Sequence, residues 1–368
     1  MIGHVINDMF SYLLPGLLPV LTVFFDLSYL SAGLVMMVFN VTSSILEPLL
    51  GRWFDRTQAT WLLEAGLALN SVGMSLVGIS PNYVILLSLV GIAGLGSAAF
   101  HPAAVSTIVK SAQSSKGGAM GIFLSGGNVG VFLGPIVAGA LMSVFGLPGT
   151  LLLLPIGLLA ATLLLRVRKL GNGKEQRLRS ETSQQANKRL VALLATITSL
   201  RSLTMQTAVT FLPLYFVARG YSLFIATGIA SIWIGVGVLG QLGGGFVSDR
   251  LGRRPVIVSS LLTGGVLFYA FLITDGIVSM LFLALSGVGL YASWSVIVAM
   301  SSEAAPSNVG AVSGLMLGFF IGVGGLAALV FGGVADMIGL HSAFLLFAGF
   351  ALVGGLMALF LPERRRPA

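Results

Sequence analysis

Twelve uninterrupted apolar runs, each about twenty residues or more, constrain this chain more than anything else in it. They fall at approximately 4–25, 28–50, 60–80, 82–105, 117–145, 148–166, 189–217, 222–248, 254–274, 277–301, 308–335 and 339–361. About 20 apolar residues span a ~30 Å hydrocarbon layer as a helix. In lipid only helices and closed barrels satisfy their own backbone groups. Barrel strands alternate apolar with polar residues, whereas these runs are continuous, so a barrel is excluded. The fifth and eleventh runs are Gly-rich and longer than a span needs, which predicts tilt or bending. The expected fold is an all-α integral membrane protein with twelve transmembrane helices.

Only 9% of the 368 residues are charged, against about 25% in a soluble domain, so no water-compatible surface is available. Cysteine is absent, which removes disulfides, thiolate metal sites and thiol nucleophiles. The one polar break, 166–189, divides the spans six and six. It gives an N-terminal bundle over 1–166, a linker loop over 167–188 and a C-terminal bundle over 189–363. The net charge of +8 reports orientation rather than nucleic acid. Arg52, Arg56, Lys110, Lys116, eight cations from Arg166 to Arg189, Arg250, Arg253, Arg254 and Arg364 to Arg366 all fall on one side. Only Arg219 falls on the other, and Arg201 lies inside a span. The positive-inside rule then puts both termini in the cytoplasm of a multi-pass cell-membrane (inner or plasma) protein. The first run is too long for a cleavable signal and lacks a basic leader, so helix 1 is expected to start almost at Met1.

The two halves repeat. Gly51-x-x-x-Asp55-Arg56 matches Gly245-x-x-x-Asp249-Arg250 at an offset of 249 − 55 = 194. Gly94-x-Gly96 matches Gly287-x-Gly289 at 193, and Gly118-Ala119 matches Gly310-Ala311 at 192. Two parallel six-helix repeats imply a two-fold axis along the membrane normal, with a substrate site between them near the midplane.

The run Gly245-Phe-Val-Ser-Asp249-Arg250-Leu-Gly252-Arg253-Arg254 resembles the loop signature of the major facilitator superfamily. The first-half copy keeps Gly51, Asp55 and Arg56 but reads Thr57-Gln58-Ala59 afterwards. Within that superfamily, His4-x-x-Asn7-Asp8 and Gly94-x-Gly96-Ser97-x-x-Phe100-His101-Pro102 resemble the fosmidomycin-resistance exporters. Ala103 stands where that family often has an acid. Gly130-x-x-x-Gly134-Pro135 is similar to the helix 5 motif of drug/proton antiporters, a spacing that ordinary helix packing also uses. The resemblance implies a gate built on Gly51, Asp55, Arg56, Gly245, Asp249, Arg250, Arg253 and Arg254. Its charge pairs would have to break when the cytoplasmic side opens.

A few ionisable groups sit where lipid disfavours them. His4 and Asp8 are spaced i, i+4 and share a helix face with Asn7 nearby. They read either as a polar cluster that binds a proton or as hydrated groups at a helix mouth. His101, before Pro102, reads as a proton site, a substrate donor, or a structural ring capping backbone carbonyls. Arg201 lies about twelve residues into its span, ~18 Å at 1.5 Å per residue. It is expected to meet a carboxylate or an anionic substrate, which guanidinium geometry suits. Glu47 before Pro48, Glu64 and Glu303 stand near span ends, as solvated groups, loop-network partners or proton carriers. Asn128 and Gln206 are candidate cavity residues. Met205, Phe211, Tyr215, Tyr291 and Trp294 either line the cavity or simply pack.

The chain is thus expected to be a proton-coupled secondary transporter, an exporter of a small, anionic drug or metabolite such as a phosphonate. Uptake of a sugar acid by proton symport is the alternative. Partners are the substrate, protons and the bilayer, with no nucleic acid, and the chain is expected to be a monomer. No cofactor or metal is expected. Neither an HExxH or GxSxG site nor a Walker A loop is present, which argues against an intramembrane enzyme and against ATP as the direct energy source.

Overall fold

The computed structural model describes residues 1–57, 59, 61–111, 116–170, 187–305 and 309–363. Among these are twelve α-helices and no strand. They are α1 (Ile2–Phe24), α2 (Tyr29–Thr57), α3 (Leu62–Leu76), α4 (Tyr83–Ser111), α5 (Lys116–Phe145) and α6 (Leu154–Leu170), then α7 (Lys188–Ala218), α8 (Leu223–Leu251), α9 (Arg253–Ile273), α10 (Gly276–Ala304), α11 (Val309–Ile338) and α12 (Leu340–Met357). Eleven are long and apolar enough to cross a membrane; α7 is not among them. The reason is visible in its sequence, where Arg201, Gln206 and a series of Ser and Thr residues interrupt the apolar run. Of the expected linker, 167–170 extends α6 and Lys188 opens α7, while 171–186 lie outside the described residues.

The chain forms two compact units, Met1–Leu178 with Thr210–Ser231, and Arg179–Val209 with Ile232–Ala368. In the first, α1 packs along α5, and α3 and α2 pack on α4. Its core gathers Phe54, Leu67, Phe100, Ala103, Phe123 and Ala160. In the second, α9 packs on α10 and α12, and Ile197, Ile257, Leu261, Ile297 and Met316 fill the centre. Here α7 is fastened through its polar residues. Thr204 Oγ1 donates to the Phe347 carbonyl at 2.7 Å and accepts from the Ala351 amide at 3.1 Å, and Ser202 donates to the Phe320 carbonyl. Without a hydrophobic drive between helices in lipid, such hydrogen bonds and close backbone contact hold the bundle.

The repeat extends to the packing. A side chain at Gly96 would collide with the backbone of Gly66 and Asn70 on α3, and one at Gly289 with Ser260 and Gly264 on α9. These positions correspond at offsets of 193 to 194. Both halves therefore use the same glycine to bring the fourth helix onto the third.

Candidate functional site

Three of the side chains singled out from sequence converge in the first unit. His4 and Asp8 share a face of α1, and Nε2 of His4 lies 3.1 Å from Asp8 Oδ2. His101, from α4, places its Nε2 3.3 Å from Asp8 Oδ1. His4 is 5% exposed and the Asp8 side chain 14%, so neither is freely hydrated. Each ring is anchored at its other nitrogen. His4 Nδ1 lies 2.8 Å from the Phe123 carbonyl of α5, and His101 Nδ1 lies 3.0 Å from the Ser97 carbonyl one turn back. His101 thus caps a carbonyl and joins the acid at once. The His4 ring also stacks on Phe123, with centroids 3.9 Å apart. No other group of three or more His, Asp or Glu side chains gathers so closely among the described residues.

Asn7 donates to Asp8 Oδ1 at 3.0 Å. It is oriented by Asn70 of α3, whose amide donates to the Asn7 carbonyl at 2.9 Å, to Asn7 Oδ1 at 3.0 Å and to Ser11 Oγ at 3.1 Å. Sequence reasoning missed Asn70; it lies 63 positions from Asn7, and its only signal is an amide inside an apolar run. Gly127 was also missed. A Cβ there would stand 2.6 Å from His4 Cε1 and 2.8 Å from Asp8 Oδ2, so α5 closes over the acid only because this residue has no side chain. Gly130 and Gly134 do the same against the α1 backbone at Val5 and Tyr12, and Pro135 lies over Gly16. Glu47, half-buried on α2, interacts electrostatically with His101 and Asp8. Asn128 is half-buried, and Glu64 is buried on α3 at 3% exposure rather than solvated.

The second unit holds Arg201, 1% exposed. Its Nε donates to the Leu290 carbonyl and to Ser293 Oγ, both at 3.0 Å. The guanidinium carbon lies 5.4 Å from the Trp294 ring centroid and 5.0 Å from that of Phe320, within cation–π range. Its Nη1 is buried with no hydrogen-bond partner, and no carboxylate pairs with it among the described residues. A buried cation held only by neutral groups is costly, and an arriving anion would relieve that cost. Gln206, buried one turn further on, packs against Gly324 of α11. Met205, Phe211 and Tyr215 are buried along α7.

The two sites occupy corresponding positions. Asp8 and His101 recur as Arg201 and Trp294, since 201 − 8 and 294 − 101 each equal 193; at the 192 offset of the fifth and eleventh helices, Phe320 stands where the first half has Asn128. The first half sets an acid between imidazoles beneath a bare glycine. The second sets a cation between two aromatic rings.

At the α8–α9 turn, Gly252 adopts φ +96°, a conformation costly for other residues, and reverses the chain in a single step. Arg253 is thereby brought to Asp249 Oδ1 at 2.7 Å, Ser248 Oγ at 2.5 Å and Glu303 Oε1 of α10 at 3.1 Å. Arg254 stands 3.9 Å from Glu363, and Arg250 is exposed. In the first half, Gly51 lies against Pro102 and Arg56 is exposed; the Asp55 side chain lies outside the described residues.

A family model described as Major Facilitator Superfamily matches residues 1–246 and 229–368. The chain is 27% identical to the fosmidomycin resistance protein of Escherichia coli (strain K12), over 99% of this chain and 92% of that protein. It is 28% identical to the uncharacterized MFS-type transporter YfnC of Bacillus subtilis (strain 168), with the same coverage. Among solved structures it is similar to a bacterial homolog of the human lysosomal transporter Spinster, inward-facing and occupied. The TM-score is 0.86 at 16% identity, covering 98% of this chain and 94% of that one. The nucleoside transporter NupG matches at TM-score 0.72 and 17% identity, over 98% of both chains. At such identities these two likenesses speak to the fold.

Proposed function

Since the chain belongs to the Major Facilitator Superfamily, we propose that this membrane transporter is a proton-driven exporter of a small organic anion, a drug or metabolite of the phosphonate type. The observation that carries the reading is the carboxylate of Asp8, enclosed in a membrane helix between two imidazoles. An ionisable group at that depth is costly and marks a proton or ion pathway by default, and imidazole titrates near neutral pH. Arg201, buried with an unpartnered Nη1, supports an anionic cargo. The likeness to the fosmidomycin resistance protein supports a drug as that cargo.

In this reading the two repeats rock about the cargo, and protonation of the Asp8 cluster biases one state over the other, as differential binding must. The Arg253–Asp249–Glu303 ties would open and close with the cytoplasmic side. The chain would act as a monomer in the cell membrane, with both termini in the cytoplasm.

The test is purified protein in liposomes holding a pH-sensitive dye, with phosphonates added under an imposed proton gradient. Substrate-dependent proton movement against the substrate flux is expected, with loss in Asp8→Asn and in Arg201→Ala. Co-directional movement would instead mean proton-coupled uptake. Proton movement unchanged in both variants would remove these residues from the mechanism.

A further inference from the structure

Each histidine beside Asp8 has one ring nitrogen already committed. Nδ1 of His4 faces the Phe123 carbonyl and Nδ1 of His101 faces the Ser97 carbonyl. A carbonyl has no proton to give, so both Nδ1 atoms carry hydrogen and the tautomers are fixed. What remains on each ring is Nε2, and both Nε2 atoms face Asp8, at 3.1 Å and 3.3 Å. A neutral ring protonated at Nδ1 presents a lone pair at Nε2, and an ionised carboxylate presents lone pairs as well. With no metal ion between them, each contact is attractive only with a proton in it.

Two contacts need two protons, and a carboxyl group holds at most one. The geometry points to a two-proton site: His4, Asp8 and His101 together bind two exchangeable protons, and at least one ring is imidazolium. Two imidazoliums and a carboxylate sum to +1; one imidazolium, one neutral ring and a carboxylic acid also sum to +1. The amide chain sets where the protons sit. The Asn7 carbonyl can only accept, which fixes the Asn70 amide; Asn70 in turn turns the Asn7 amide toward Asp8 Oδ1. Oδ1 is already an acceptor there, which favours a proton on the His101 side of that contact.

The count gives the site a mechanical meaning. The His101–Asp8 contact joins α4 to α1, so withdrawing its proton sets lone pair against lone pair and releases that tie. The His4–Asp8 contact lies within α1 and survives with the other proton. Further titratable groups near the cluster are Tyr12 on α1 and Glu47 on α2, both in electrostatic contact with Asp8. The buried Glu64 lies on α3, which packs against α1 and α4. On α5, Phe123, Gly127 and Gly130 face the cluster, and none of them is titratable. This count deepens the proposed proton coupling and rests on it for its role in transport.

With only three histidines in the chain, ring-15N-histidine NMR of the full-length protein in detergent tests it. The exposed His341 is assigned by His341→Gln and His101 by His101→Asn. At about neutral pH both site rings are expected to carry hydrogen on Nδ1, with at least one protonated on Nε2 as well. That imidazolium signal is expected to be lost in Asp8→Asn. Two neutral rings in the wild-type protein, or a neutral ring bare at Nδ1, would overturn the count, whether or not the variants fold. The liposome assay is read separately: proton flux with neutral rings would refute the count alone, and imidazolium without flux would refute the coupling.

Discussion

The substitution Gly127→Ala probes the acid site without touching a charge. The new methyl carbon would lie 2.6 Å from His4 Cε1, 2.7 Å from His4 Nε2 and 2.8 Å from Asp8 Oδ2, where ordinary contact begins at 3.4 Å. Relief needs a shift of about 0.8 Å, the difference between 3.4 and 2.6 Å. The His4 ring cannot take it freely, because it is stacked on Phe123 and hydrogen-bonded at Nδ1. A displacement of that size carries a 3.1 Å contact out of hydrogen-bond range. Losing one charge-assisted hydrogen bond costs about 1.5–3 kcal/mol, or roughly ten- to a hundredfold in an equilibrium. Substrate-dependent proton flux in liposomes should fall by about that factor, while Gly121→Ala on the same helix, with nothing within 4 Å of its Cβ, should leave it unchanged. A Gly127→Ala protein that transports at the wild-type rate with the wild-type pH profile would refute the claim that His4 and Asp8 act through this contact.

Arg201→Lys should fail despite keeping the charge, because a compact ammonium cannot serve the Leu290 carbonyl and Ser293 Oγ, as Nε–H does, and still offer a separate planar Nη edge; tenfold or greater loss of anion transport is expected, measured as initial flux. Glu303→Gln should cost no more than about 1 kcal/mol of stability, since the pair with Arg253 is partly exposed, so the melting temperature should barely move; a collapse on heating would show that the tie is structural. The absence of cysteine allows single thiols to be read directly. Arg219→Cys should label from outside intact cells and Arg250→Cys only after permeabilisation, and the reverse pattern would invert the proposed topology.

The spans and the duplication were legible because lipid imposes a length and a composition on every helix, and both are local properties of the sequence. The weakest span shows the limit. Helix α7 owes its polar character to Arg201 and its Ser and Thr neighbours, which make sense only against α10, α11 and α12. His4 and Asp8 could be paired by helical spacing, but His101 comes from a distant helix. Asn70 left only an amide inside an apolar run, and Gly127 left no local trace. A glycine chosen for what it must not touch resembles any other glycine until its neighbour is seen. Glu64 stands near a span end in sequence, yet tertiary packing buries it.

The correspondence of Asp8 and His101 with Arg201 and Trp294 means that one repeated scaffold has been filled twice, with opposite polarity. Sign is then a local choice made at two positions in each half, independent of the architecture around them. A lineage of such chains could reverse the sign of either site by rewriting those four residues, leaving every helix and turn in place.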